Sequence, residues 1–490
     1  MQPATASMSA LEQNRSRRHG TLQRPGDAAG SVGRPRSFWG LRAAGLLLTA
    51  CSLLGACGED DGLHGSGAMG PIGDPPPQSA ADPDCPPSTV CDDTPAAYAI
   101  RDPNTGSYGN YDLANRPLDG QEVRYIVIHT TDLSWDLTIK VFQDPQNAAA
   151  AHYLVRSSDG HIAKFISPRH VAWHAGNWYY NMHSIGIEHE AYAFEGHKWF
   201  SDALYAESAK LVRHLARRYG VPLDRAHILG HDEVPGISPA RQKSMHWDPG
   251  PYWDWDRYMQ LLRAPLPSDA DPGQSGTPIV LRPGYAANLQ KGSYCFGTSG
   301  MDCRDVADAP ANFVYLRTAA DPMAPLVENQ YLKGWPGDRM NNWGTKLGTG
   351  PIYVLAEQKG DWSAIYFGGQ KAWFQNPGRS LTRKASAMVI TPRTGLTTAP
   401  LYGVAYPQDT AFMPPTKPVA MEKIYDVPAG QRYALAARTT GDYYWAKEWV
   451  ASYDPSKQIV VKDGTEYYQV HFNHRVAWAR AADFELISTP

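Results

Sequence analysis

Between residues 124 and 263 the chain alternates short apolar runs of strand length with stretches of helical period. The runs are "RYIVIHTT" (124–131), "HYLVRSSDGHIAKFI" (152–166), "SIGIEHE" (184–190) and "AHILGH" (226–231). The second reads as a hairpin turning at Asp159-Gly160. "DLTIKVFQ" (136–143) has the pattern of a short amphipathic helix ended by Asp144-Pro145. "SDALYAESAKLVRHLARRYG" (201–220) is the clearest helix, with Ser201 to cap its start, Leu204, Leu211, Leu215 and Tyr219 on one stripe, and Gly220 at its stop. "DWDRYMQLLR" (254–263) closes the region with another helix. Strands and helices in this order predict an α/β domain over 96–265, a mixed central β-sheet flanked by helices.

Two stretches that cannot build a core bound this region. Residues 58–95 are acidic and rich in glycine and proline ("GEDDG", "GDPPPQSAADPD"), which predicts a flexible linker. "APLPSDADPGQSGTP" (264–278) predicts a second linker, over 266–280. Beyond it the pattern changes to short strands and turns. There "DWSAIYFGGQKAWFQN" (361–376) aligns without gaps on "EYYQVHFNHRVAWARA" (466–481), keeping Phe367/Phe472, Ala372/Ala477 and Trp373/Trp478. Two related all-β C-terminal modules, 281–380 and 381–490, are the economical reading. A net charge of -3 and a pI near 6.6 provide no broad basic field, so no nucleic-acid partner is expected.

The first 57 residues read as a signal peptide. Seven arginines between Arg15 and Arg42 precede the apolar run "AAGLLLTACSLLGAC", which from Ala43 to Ala56 is too short to span a bilayer, a task needing ~20 residues. The ending "LLGAC" resembles the lipobox of bacterial lipoprotein signals, with Cys57 as the lipidated residue; cleavage as an ordinary secretory signal is the alternative. The expected location is the periplasmic face of a bacterial envelope through a lipid anchor, otherwise secretion. In an exported chain the close pairs Cys85/Cys91 and Cys295/Cys303 favour two local disulfides.

Of 16 histidines, twelve fall between His129 and His246, so a metal or proton-transfer site is to be sought in the α/β region. His129 and His231 each end an apolar strand, and Gly230 lets the backbone beside His231 approach a neighbour closely. Asp248 lies in "MHWDPGPYWDW", on a turn stiffened by Pro249 and Pro251. It is either a solvated turn residue or the carboxylate of a two-histidine, one-aspartate set, a combination that leaves a fourth position open for water in catalytic zinc sites. "HEAYA" (189–193) has Ala193 where an HExxH helix needs its second histidine, which excludes that site.

The ordered set "VIHTT", "AHYLVRSSDG", "AWHAGN", "SIGIEHE", "ILGH" and "DPGPYWDW" resembles the type 2 N-acetylmuramoyl-L-alanine amidases, relatives of the phage zinc amidase lysozymes and the peptidoglycan recognition proteins. The resemblance covers roughly 95–265. It implies a zinc amidase domain holding one Zn2+ ion on His129, His231 and Asp248, with Glu188 matching the catalytic glutamate of "GIE". His246 stands where many members carry a catalytic lysine, and the inserted "ISPARQKS" makes Lys243 its rival. Trp173 and His174 match substrate contacts, with a buried core pair as the alternative. The C-terminal modules resemble bacterial Src-homology-3-like cell-wall binding domains.

Strand alternation places Gly186, Glu188 and Glu190 on one face and Ile185, Ile187 and His189 on the other. If the isoleucines face the core, Glu188 faces the site, with Glu190 as its structural rival. The expected activity is hydrolysis of the amide between N-acetylmuramic acid and L-alanine, acting on peptidoglycan or muropeptides. A non-catalytic peptidoglycan receptor and an amidase for another acyl-amino acid are the other readings.

Overall fold

In the computed structural model the described residues are 83–296, 302–446 and 448–488. The expected signal peptide 1–57, with Cys57, and residues 58–82 of the first linker lie outside them. A six-stranded sheet is built from β1 (Cys91–Asp93), β2 (Tyr125–Thr130), β3 (Tyr153–Val155), β4 (Ile162–Lys164), β5 (Ser184–His189) and β6 (Ile228–Gly230), in the order β1-β4-β3-β5-β2-β6. Only β3 and β4 pair antiparallel, as the Asp159-Gly160 hairpin predicts; the other neighbours are parallel.

Helices α1 (Trp135–Phe142), α2 (Trp178–His183), α3 (Asp202–Tyr219) and α4 (Trp255–Leu261) accompany this sheet. The signals for α3 act as read. Ser201 accepts a hydrogen bond from the Leu204 N–H, and Gly220 ends the helix with φ 73°. Its stripe of Leu204, Leu211 and Leu215 packs with α4 on Ile126, Ile128, Ile185, Ile187 and Ile228. Each such fully buried aliphatic side chain contributes about 1.5–3 kcal/mol. The isoleucines of β2 and β5 therefore face a core, and His129 and Glu188 point to the opposite side.

That opposite side is covered largely by the C-terminal half. Tyr125, Val127 and Leu229 of the sheet, with Tyr179, Tyr180 and Met182 of α2, share one apolar cluster with Tyr402, Tyr406, Tyr444, Tyr467 and Trp478. The C-terminal half is antiparallel β. One sheet runs β12-β11-β10-β7-β13, from β7 (Pro278–Leu281), β10 (Ile352–Lys359), β11 (Trp362–Phe367), β12 (Gln370–Gln375) and β13 (Thr382–Lys384). Between β7 and β10 stands the hairpin β8 (Leu289–Phe296) and β9 (Asp302–Pro310). The other five-stranded sheet runs β15-β14-β18-β17-β16, from β14 (Thr398–Tyr402), β15 (Lys423–Pro428), β16 (Ala437–Ala446), β17 (Gln458–His471) and β18 (Val476–Arg480). The aligned segments form equivalent hairpins, β11/β12 and β17/β18.

Three boundaries differ from the sequence reading. The end of the expected 58–95 linker is structured, because Cys91–Asp93 pairs through its backbone with β4 and Asp84 is buried against Arg218 and Tyr219. Strand pairing uses main-chain groups, so acidic composition does not prevent it. The expected 266–280 linker buries Leu266 and Asp271, and its last residues begin β7, a strand with partners on both sides. The first β module reaches past 380, since β13 completes its sheet. Both expected disulfides, Cys85–Cys91 and Cys295–Cys303, are formed.

Candidate metal and amidase site

Adjacent parallel strands β5, β2 and β6 bring their C-terminal ends together. His129 is aligned with Glu188 across β2 and β5, and Gly230 with Ile128 across β6 and β2, so His231, the next residue, emerges beside His129. Such strand ends are where open α/β sheets place ligands. Asp248 arrives from a loop tied to both strands: its carbonyl accepts from the Asp232 N–H at 2.7 Å and its Oδ2 from the Thr130 N–H at 3.1 Å.

The result is a buried His129, His231 and Asp248 group whose ligand atoms all lie within 4.8 Å of one another. His129 Nδ1 is 3.4 Å from Asp248 Oδ2, and His231 Nδ1 is 3.2 Å from Oδ1. Neither of those nitrogens has a hydrogen bond, and neither does His231 Nε2 or either oxygen of Glu188, whose Oε1 lies 4.0 Å from His129 Nδ1. Buried polar atoms left without partners at such a convergence fit a cation that their lone pairs would hold. Burial would lift Asp248, but His231, with His129 and His246 close around it, holds its carboxyl well below the usual range. Glu188 is pushed the other way, first by burial and then by the charges of Asp248 and Asp132.

The unligated side of His129 is set by a hydrogen-bonded chain. The Ser184 hydroxyl donates to the Tyr180 carbonyl, so it accepts from His174 Nε2, 3.0 Å away. His174 then offers a lone pair at Nδ1 to the N–H of His129 Nε2 at 2.8 Å. This pattern leaves the His129 Nδ1 lone pair free to face the site. The ring of His174 fits only because residue 186 is glycine, where a Cβ would come within 2.5 Å of it. His174 is thus buried behind His129 and is not placed to touch a substrate, because its two nitrogens serve Ser184 and His129. Trp173 is half-buried and spends its indole N–H on Asp112 at 2.7 Å.

His246 stacks on His231, with ring centroids 4.6 Å apart and planes 10° apart, and its Nδ1 is 3.6 Å from Asp248 Oδ1. At 21% side-chain exposure it is the most open of the group. Lys243 is not in the site; it is exposed and its Nζ lies 5.7 Å from the centre of the Trp335 ring. Glu190 lies beyond the end of β5, where its carboxylate accepts from the Trp135 and Ser157 N–H groups at 2.9 and 3.0 Å.

Several supporting residues carried no signal in the sequence. Glu233 accepts from the Gly230 N–H, from Arg225 and from His471, fixing the turn that carries His231. His474 Nε2 stands 3.3 Å from Asp232 Oδ2. Both histidines come from the C-terminal half, more than 230 residues away in sequence, and only a run of polar residues in "HFNHR" (471–475) hints at a shared task.

The family model for N-acetylmuramoyl-L-alanine amidase matches residues 119–251. N-acetylmuramoyl-L-alanine amidase A of Achromobacter lyticus is 32% identical over 169 residues, 32% of this chain and 91% of that protein. The 1,6-anhydro-N-acetylmuramyl-L-alanine amidase AmpD of Salmonella typhimurium is 34% identical over 119 residues, 23% of this chain and 57% of AmpD. Among solved structures, the amidase AmiD from E. coli, in complex with anhydro-N-acetylmuramic acid-L-Ala-D-gamma-Glu-L-Lys, is 23% identical. That match covers 30% of this chain and 60% of AmiD, with a TM-score of 0.25.

Proposed function

The chain belongs to the N-acetylmuramoyl-L-alanine amidase family, and we propose that it is a zinc-dependent hydrolase cutting the amide between the lactyl group of N-acetylmuramic acid and L-alanine in peptidoglycan or its fragments. The observation that carries this reading is the convergence of unpartnered His129 Nδ1 and His231 Nδ1 on Asp248, with the unpartnered carboxylate of Glu188 beside them. His129, His231 and Asp248 would hold one zinc ion, which would supply Lewis acidity toward the scissile carbonyl and a water nucleophile usable near neutral pH.

The remaining work falls to the chain. An amide has a poor leaving group, so a proton must reach its nitrogen as the bond breaks. Glu188, buried and with its proton affinity raised, takes a proton from the attacking water and returns it to that nitrogen. His246, stacked on His231 at the open side, donates a hydrogen bond to the developing oxyanion in place of a lysine ammonium. His174 and Ser184 keep His129 in the tautomer the site needs.

The leader supports export with lipidation at Cys57, and the aromatic-rich C-terminal modules support a grip on the same polymer, which raises effective substrate concentration. The deciding experiment is incubation of the purified protein with peptidoglycan, with and without a chelator, followed by mass spectrometry. Stem peptides starting at L-alanine, formed only without chelator, are expected; a protein that binds the polymer without releasing them is a receptor.

A further inference from the structure

The loop that delivers Asp248 draws most of its backbone donors from outside the α/β region. It runs through Met245, His246 and Trp247 into Asp248, Gly250 and Pro251, and the C-terminal half provides donors for five of these six carbonyls. Arg475 Nη2 donates to the carbonyls of Met245 and His246 at 3.4 and 3.1 Å, and its Nη1 to that of Val234 at 2.8 Å. Trp343 Nε1 donates to the carbonyl of Trp247 at 3.2 Å. Asn312 donates from its side chain to the Gly250 carbonyl at 3.1 Å and from its backbone to the Pro251 carbonyl at 2.8 Å. From within the α/β region the Asp232 N–H meets the Asp248 carbonyl at 2.7 Å, and the Trp253 N–H reaches the Gly250 carbonyl at 3.5 Å.

These donors are themselves braced. Arg475 sits in the turn between β17 and β18, where its N–H is held by Asn473 Oδ1 at 2.7 Å, and the Asn473 side chain donates to the Tyr425 hydroxyl. The neighbouring His474 lies flat on Trp343, with centroids 3.7 Å apart. A planar guanidinium reaching three carbonyls within the His231–Asp248 segment, one just after His231 and two just before Asp248, fixes the spacing of its ends, which a flexible ammonium cannot do.

We infer that Arg475 is a positioning residue of the metal centre, and that the C-terminal half, besides any grip on the polymer, is a structural part of the active site. The inference rests on His129, His231 and Asp248 holding the metal as proposed above. Supporting groups one step removed from a metal commonly carry about 10–100-fold in metal affinity or activity. A loop held from another part of the chain loses affinity when that hold is cut.

The test uses the full-length protein with Arg475→Ala, Arg475→Lys and, as a matched control, Arg393→Ala. Arg393 also grips main-chain carbonyls, those of Ala482 and Phe484, but inside the C-terminal half. Zinc affinity is measured by competition with a chromogenic chelator, alongside kcat, KM and the thermal midpoint. Arg475→Ala is expected to lose about 10–100-fold in zinc affinity, with a fall in kcat larger than any change in KM. Arg475→Lys recovers part of both. Arg393→Ala lowers the thermal midpoint and leaves zinc affinity alone. Wild-type zinc affinity in Arg475→Ala, or an equal loss in Arg393→Ala, overturns the inference. If Arg475→Ala does not fold, Arg475→Lys decides: it lacks the fork, and unchanged affinity there also overturns it. Should the wild type bind zinc yet release no peptide, the amidase reading fails while the zinc measurements still judge Arg475.

Discussion

Glu188 and His129 face each other in register on neighbouring parallel strands, with Oε1 4.0 Å from Nδ1, and no hydrogen bond meets either carboxylate oxygen of Glu188. A buried carboxyl without partners costs stability, a cost that a role in the chemistry would explain. Glu188→Gln keeps the shape and removes the proton carrier. Turnover on muropeptides is expected to fall about 10²–10⁴-fold while zinc content stays at one per chain. Retention of near-normal turnover in this variant removes Glu188 from the chemistry.

The strand Ser184–His189 carries a glycine at 186, on the same face as Glu188, and the reason lies across the sheet. A methyl group there would stand 2.5 Å from His174 Nδ1, the atom that accepts from His129. Gly186→Ala therefore displaces His174 and frees His129 to turn. About 10–100-fold weaker zinc binding is expected in chelator competition, with the far-ultraviolet circular dichroism unchanged. Equal affinity in this variant removes the His174 support from the account of the site.

How much of this was legible in the sequence follows from the range of each interaction. Strands β2 and β5, helix α3 with its Ser201 cap, and the placement of His129 and His231 at strand ends follow from local pattern, because one strand's apolar face and one helix's stripe are written in consecutive residues. That the two histidines meet is implied by the family resemblance. The strand Cys91–Asp93 was not legible, since its pairing depends on backbone groups that composition does not report. Glu190 shared a predicted face with Glu188 but lies one residue past the strand, where alternation no longer holds. Arg475 reaches the carbonyl of a residue 229 positions away, and no spacing rule connects the two.

Metal removal provides a thermodynamic check. Ligand that binds only the folded state adds RT ln(1 + [L]/Kd), about 2.7 kcal/mol at a free concentration 100 times Kd. Stripping the protein with a chelator is expected to lower its thermal midpoint, and zinc to restore it. His231→Ala, which removes one ligand from the buried group, abolishes the response to zinc. A His231→Ala protein that still gains the full zinc-dependent increment places the ion elsewhere.

Asp442 joins the two halves of the molecule. It lies on β16 with its side chain 3% exposed, bonded to Arg124 Nη2 at 2.7 Å and to His183 Nε2 at 2.8 Å. Burial would raise its proton affinity, but His183 and Arg124 together hold the carboxyl below its ordinary range. A group whose folded pKa is depressed contributes stability that is fully present above its unfolded pKa, about 4, and is lost as pH falls through the folded value. Urea unfolding is therefore expected to show a loss of stability below about pH 4 that is smaller in Asp442→Asn, the other depressed carboxyls such as Asp248 supplying the rest. At neutral pH the same substitution leaves the partly buried Arg124 with only the exposed Glu122 as counter-charge and costs about 1.5–3 kcal/mol. An Asp442→Asn protein with wild-type stability at pH 7, and the wild-type slope in acid, would show that this contact does not couple the two halves.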